Sequence, residues 1–170
     1  MLKGFITNLR AYNEGKLQGK WIDFPIMEDE MEDVLEEIGI NEDYEEYFFT
    51  DWETDWEIEP YKEWGEYPNI DEVNDITNEL YDIENDNELE WLYAYMECTE
   101  ASIREAIDDY QDRSIFYYSM DSSTITEEYF SSMGVNDYTI GQIVRYIDSE
   151  DFVESELCLY KSSYGFIECF

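Results

Sequence analysis

Apolar positions recur along the chain with two different periods, and the changes of period mark its elements. Lys3–Leu9 is a short apolar run that reads as a strand, Tyr12-Asn13-Glu14-Gly15 reads as a turn or loop, and Gly19–Phe24 reads as a second strand. After Pro25 the spacing becomes helical. Met27, Met31, Val34, Leu35 and Ile38 fall at i, i+4, i+7, i+8 and i+11, one face of a helix that Gly39 is placed to stop. Glu28, Asp29, Glu30, Glu32, Asp33, Glu36 and Glu37 fill the other faces. Tyr47–Ile58 then returns to an extended period.

A helical segment follows over Tyr61–Ser102. Asn69, with Glu72 three positions on, resembles a capping box, and Ile70, Val73, Ile76, Thr77 and Leu80 form the stripe behind it. A second helix carries Leu89, Leu92, Tyr93 and Met96. The remainder mixes periods: a helix on Ile103, Ala106, Ile107 and Tyr110, a strand over Ser114–Met120, a helix over Thr126–Met133 and a mixed stretch at Ile143–Tyr146. A hairpin is expected from Leu157–Tyr160 and Tyr164–Phe170. The pattern predicts an α+β chain of three small domains: residues 1–60, mixed; 61–102, helical; and 103–170, mixed again.

Charge changes this picture most. The 170 residues hold 45 Asp and Glu against 9 Lys and Arg, a formal charge of −36. Such a charge would ordinarily mean disorder, because the chain buries too little to offset its entropy. The 16 Tyr, 9 Phe and 5 Trp argue instead for a folded protein with a thin, aromatic-rich core. From Trp21 to Glu100 there are about 30 carboxylates and one base, Lys62. Self-repulsion on that scale weakens a compact state, and solubility alone does not require it. Nucleic acid and anionic membrane are poor partners, since phosphate contacts need Lys and Arg. No apolar stretch is long enough to span a bilayer, and the N-terminus lacks the apolar block of a signal peptide. Cys98, Cys158 and Cys169 are odd in number and lack metal-ligand spacing, so they read as buried or incidental thiols in a reducing cytoplasm.

Candidate chemistry is sparse. The chain has no histidine, which removes Ser–His and Cys–His nucleophiles and His-ligated zinc, and its eight glycines form no phosphate loop. Among 45 carboxylates, close pairs are unavoidable and say little about glycosidase chemistry. Asp82, Glu84, Asp86 and Glu88 alternate like a calcium loop, but Asn87 stands where glycine is needed and Tyr93 where a bidentate glutamate is needed. No cofactor, metal or catalytic residue is expected.

The segment Asp51–Glu59 is more telling. Asp51, Glu53, Asp55, Glu57 and Glu59 alternate with Trp52, Thr54, Trp56 and Ile58. As a strand this gives one aromatic face and one row of carboxylates roughly 6.7 Å apart, close to the roughly 7 Å between neighbouring phosphates on a duplex strand. With Glu28, Asp29, Glu32, Asp33, Glu36 and Glu37 on the first helix, and Asp71, Glu72, Asp75, Glu79 and Asp82 on the next, it makes a candidate DNA-like acidic surface. Duplex DNA carries about one charge per 1.7 Å, so 36 net charges correspond to roughly 60 Å, or about 18 base pairs.

Several stretches resemble the ArdA antirestriction family. FITNLRAYNEGKLQGKWIDFP is similar to its N-terminal signature, with Tyr12-Asn13-Glu14-Gly15, Gly19, Trp21 and Pro25. Glu36–Glu53 resembles its next block, Tyr146–Phe152 its aromatic-rich antirestriction motif, and Tyr164-Gly165-Phe166-Ile167 its ending. Ser149 stands where the motif has an aromatic, and Glu154 and Ser155 replace an Arg-Asp pair. The resemblance implies a curved, elongated homodimer of three small α+β domains, with Tyr146, Asp148, Glu150 and Phe152 in the dimer-forming third domain. It also implies inhibition of type I restriction–modification enzymes by occupation of the DNA groove of their specificity and modification subunits. Charge alone leaves two alternatives open: an acidic module for another basic partner such as a nucleoid protein, and a halophilic or calcium-dependent enzyme.

Overall fold

A computed structural model describes residues 1–42, 44–83, 85–118 and 121–170. The fold is mixed α+β with small sheets, and the chain divides into two compact units, Met1–Asp82 and Ile83–Phe170.

In the first unit, strands β1 (Leu2–Asn8), β2 (Gly19–Phe24) and β3 (Tyr47–Thr54) form an antiparallel sheet with β1 in the middle. Alternation in β1 sends Leu2, Gly4 and Ile6 to one face and Lys3, Phe5 and Thr7 to the other. The first face is the core. Leu2, Ile6, Ile22, Phe24 and Phe49 are buried there against helix α2 (Glu28–Glu37) and helix α4 (Ile70–Asp82), which contribute Met31, Val34 and Val73. Gly4 has to be glycine, because a Cβ there would lie 2.6 Å from the Phe49 ring.

The expected turn after β1 is partly helical. Helix α1 (Leu9–Asn13) is capped by Asn8, and Gly15 takes the left-handed conformation that closes it. In α2, Met31, Val34 and Ile38 are buried as the spacing predicts, whereas Met27 is 67% exposed because it precedes the first turn. Gly39 has φ of +80° just past the helix end, the stop the sequence reading expects. Asn69 accepts a hydrogen bond from the Asp71 N–H at 3.1 Å and caps α4. Helix α3 (Pro60–Trp64) lies between β3 and α4 in sequence.

The expected strand over Tyr47–Ile58 ends at Thr54. A bulge at Thr50 shifts its register: Phe5 pairs with Asp51, but Ile6 pairs with Phe49. The extra residue brings Phe49 and Trp52 onto one face, where their rings stack at 4.8 Å.

In the second unit, helices α5 (Asp86–Thr99) and α6 (Ile103–Arg113) pack on a sheet of β4 (Ser114–Tyr118), β5 (Tyr160–Lys161) and β6 (Gly165–Cys169), with β6 central. Leu92, Ala94, Ile103 and Ala106 are fully buried. Ser102 and Glu105 form a reciprocal capping box at the start of α6. The expected hairpin is present as β5–β6, although its first arm is only Tyr160–Lys161. Helix α7 (Ser122–Ser132), helix α8 (Asp137–Ile143), helix α9 (Ser149–Asp151) and a π-helical turn over Phe152–Glu156 complete the unit. Ile125, Val153, Leu159 and Phe166 form a second apolar cluster there. Ser119 and Met120, the end of the expected strand, lie outside the described residues, as does Glu84 of the calcium-like run.

Candidate partner-binding surface

All sixteen carboxylates of the candidate acidic surface fall in the first unit, and three elements carry most of them. On α2 the buried face fixes the rest: with Met31, Val34 and Ile38 inward, Glu28, Asp29, Glu32, Asp33, Glu36 and Glu37 are exposed. On α4 the inward stripe of Val73, Ile76, Thr77 and Leu80 leaves Asp71, Glu72, Asp75 and Asp82 exposed, with Glu79 half-buried. Asp51, Glu53, Asp55, Glu57 and Glu59 are exposed, and every residue between them is half-buried.

The sheet separates these groups. Trp52 stacks on Phe24 and Phe49 on the core face, so its neighbours Asp51 and Glu53 point to the opposite face, level with Phe5 and Lys3. Both helices pack on the core face. Asp51 and Glu53 therefore lie on the side of the sheet opposite the carboxylates of α2 and α4. Only Asp51 and Glu53 lie in a regular ladder; Asp55, Glu57 and Glu59 keep the alternation beyond its end.

Few bases offset the charge, and they pair locally. Lys20 bonds Glu37, Lys3 bonds Asp23 at 3.1 Å, and the N-terminal ammonium lies 3.5 Å from Asp55. Lys16 and Arg10 both reach Glu14, whose pKa is held below its ordinary value chiefly by the Lys16 hydrogen bond. The open face of the sheet also carries an apolar pair: Phe5 and Trp21 meet edge to face at 5.3 Å between Asp23, Asp51 and Glu53.

The four motif residues of the second unit are divided among roles. Tyr146 is 86% exposed. Asp148 caps α9 by accepting from the Glu150 and Asp151 N–H groups at 3.1 and 3.3 Å. Glu150 pairs with Lys161. Phe152 is half-buried, stacked on Phe130 at 5.5 Å and edge-on to Tyr129 at 5.6 Å. Tyr138, 80% exposed, and Met133 are further open apolar side chains of this unit that periodicity alone did not single out.

Glu88, a member of the calcium-like run, has a structural role. It accepts hydrogen bonds from the Tyr110 hydroxyl at 3.0 Å and from Gln111 at 2.7 Å. Burial, reinforced by that carboxylate, pushes the Tyr110 hydroxyl up to about 12. Among the described residues, no group of three or more Cys, Asp or Glu side chains is arranged to hold a metal ion, and no helix is long and apolar enough to cross a membrane.

A folded surface this acidic, built on the blocks that resemble antirestriction proteins, fits the comparison with known families. The family model of the antirestriction protein ArdA matches residues 5–164. The chain belongs to the ArdA antirestriction family. ArdA proteins are inhibitors, not known enzymes, and membership implies interaction with type I restriction enzymes. The match runs through both units of the fold, from β1 to the loop before β6. No curated protein matches the chain.

Proposed function

We propose that this ArdA-family chain is a non-catalytic DNA mimic that occupies the DNA groove of a type I restriction–modification enzyme. The contact falls on the specificity and modification subunits, and inhibition is competitive with DNA. One observation carries the reading: in an antirestriction protein, fifteen of the sixteen named carboxylates are exposed and the sixteenth is half-buried. Carboxylates take the place of phosphates at Lys and Arg contacts, and counterions held on both partners are released on binding.

The acting species is a cytoplasmic homodimer, elongated and built from three small domains per chain. Residues 103–170 supply the dimer contact through the segment holding Tyr146, Asp148, Glu150 and Phe152. In support, Tyr146 is open to solvent while Phe152 anchors the segment to its own core. A two-fold dimer doubles the acidic surface, which suits a bipartite groove better than one recognition helix.

A pull-down tests the reading. Immobilised chain should capture the methyltransferase core of a type I enzyme and lower restriction of unmodified DNA. Capture of a nucleoid protein without effect on restriction would favour the alternative of a general acidic binding module.

A further inference from the structure

Two of the three cysteines, 71 positions apart, are brought together. Cys98, in the last turn of α5, and Cys169, at the end of β6, have their sulfurs 3.1 Å apart. A disulfide bond is about 2.0 Å long, so closing the gap needs a shift of about one ångström. Both residues are half-buried, and neither is in a disulfide. We propose that Cys98 and Cys169 form a reversible disulfide when the protein meets a low-molecular-weight disulfide, clasping the central strand of the second sheet to α5.

The geometry assigns an order to the two thiols. Cys169 donates its proton toward the Cys98 sulfur, and burial followed by that hydrogen bond pushes the Cys169 thiol up to about 12. Cys98, whose sulfur accepts that hydrogen bond, is assigned the first attack. Its thiolate attacks one sulfur of the small disulfide, forming a mixed disulfide and expelling one small thiolate. Cys169 then gives its proton to solvent and attacks the Cys98 sulfur, expelling the second small thiolate. One small disulfide is consumed and two small thiols are released, so the protein pair loses two protons and two electrons. Cys158 is exposed, and its sulfur contacts the Ser155 carbonyl oxygen at 3.8 Å.

The test is incubation of the folded full-length chain with oxidised glutathione, followed by thiol counting after denaturation and peptide mapping. In the Cys158→Ser variant the count should fall from two to zero with no added glutathione mass, and one peptide should link Cys98 to Cys169. Dithiothreitol should restore both thiols. Cys169→Ser should stop at a glutathione adduct on Cys98, and the melting temperature of the oxidised parent should exceed that of the reduced one. An internal link involving Cys158 in the parent, a dimer joined through Cys98 or Cys169, or two persistent thiols in Cys158→Ser would overturn the proposal.

Discussion

Asn8 does three jobs with one buried side chain. Its carbonyl oxygen accepts from the Ala11 N–H at 2.9 Å, capping α1, and its amide donates to the Ile38 and Gly39 carbonyls at 3.2 Å each. It thereby ties the end of β1 to the end of α2. Replacing it with alanine leaves a helix N-terminus uncapped and two carbonyls without that donor, so Asn8→Ala should cost about 2–3 kcal/mol in denaturant unfolding. Nothing in the sequence singles Asn8 out, because its partners lie up to 31 positions away. The same holds for Asn74, which brackets the Ile26 backbone at 2.8 Å on both its N–H and its carbonyl. Cys98 and Cys169 show the same limit: number and spacing read them as buried or incidental thiols, and only the fold makes them a pair.

Local signals, by contrast, are legible: Asn69, expected at a helix start, caps α4. The capping box at Ser102 and Glu105, which the reading of the pattern passed over, sets a pH dependence. Hydrogen bonds from the Ser102 backbone and hydroxyl hold the Glu105 carboxyl below its ordinary value of 4.5. A lowered folded-state pKa contributes stability that is present above the unfolded value and lost as pH falls through the folded one. Acid titration of the parent should therefore show a loss below pH about 4.5 that Glu105→Gln, which keeps a neutral acceptor, does not share.

At the scale of elements, strand β2, the inward stripe of α4 and Met31, Val34 and Ile38 of α2 are as the pattern predicts, while β3 stops at Thr54 and α7 begins at Ser122, before the expected Thr126. The departures have physical causes. The bulge at Thr50 changes which aromatic residues share a face, and a bulge leaves no mark in a hydrophobic pattern. The motif around Glu150 and Phe152 lies on a short helix and a π-helical turn, too brief for a period to be read. The acidic residues were legible as exposed positions, but not their division onto two sides of the sheet, which depends on how the helices pack.

That division gives a test on α2. Its outward carboxylates can be neutralised without touching Met31, Val34 or Ile38. Neutralising Glu28, Asp29, Glu32 and Asp33 together should weaken inhibition by about tenfold or more, while Glu32→Gln alone should change it by less than about twofold. The melting temperature of the fourfold variant should not fall, since repulsion is relieved and the buried face is intact. Dose–response curves of restriction, read beside thermal melts, check both statements.

For the whole molecule, net charge sets both stability and binding. A charge of −36 on 170 residues should make the melting temperature rise with added salt, because screening shortens the reach of repulsion to about 8 Å at physiological ionic strength. Binding to a basic groove should move the opposite way and weaken as salt rises. The same addition of salt thus strengthens the fold and loosens the complex. A melting temperature indifferent to salt would contradict the view that surface repulsion is a large opposing contribution.

The most direct measurement is displacement of a labelled duplex from a type I methyltransferase core by the purified chain, repeated at several DNA concentrations. Competitive mimicry predicts full displacement, with a midpoint that rises in proportion to the DNA present. A midpoint independent of DNA concentration, or a complex holding enzyme, DNA and this protein together, would contradict it.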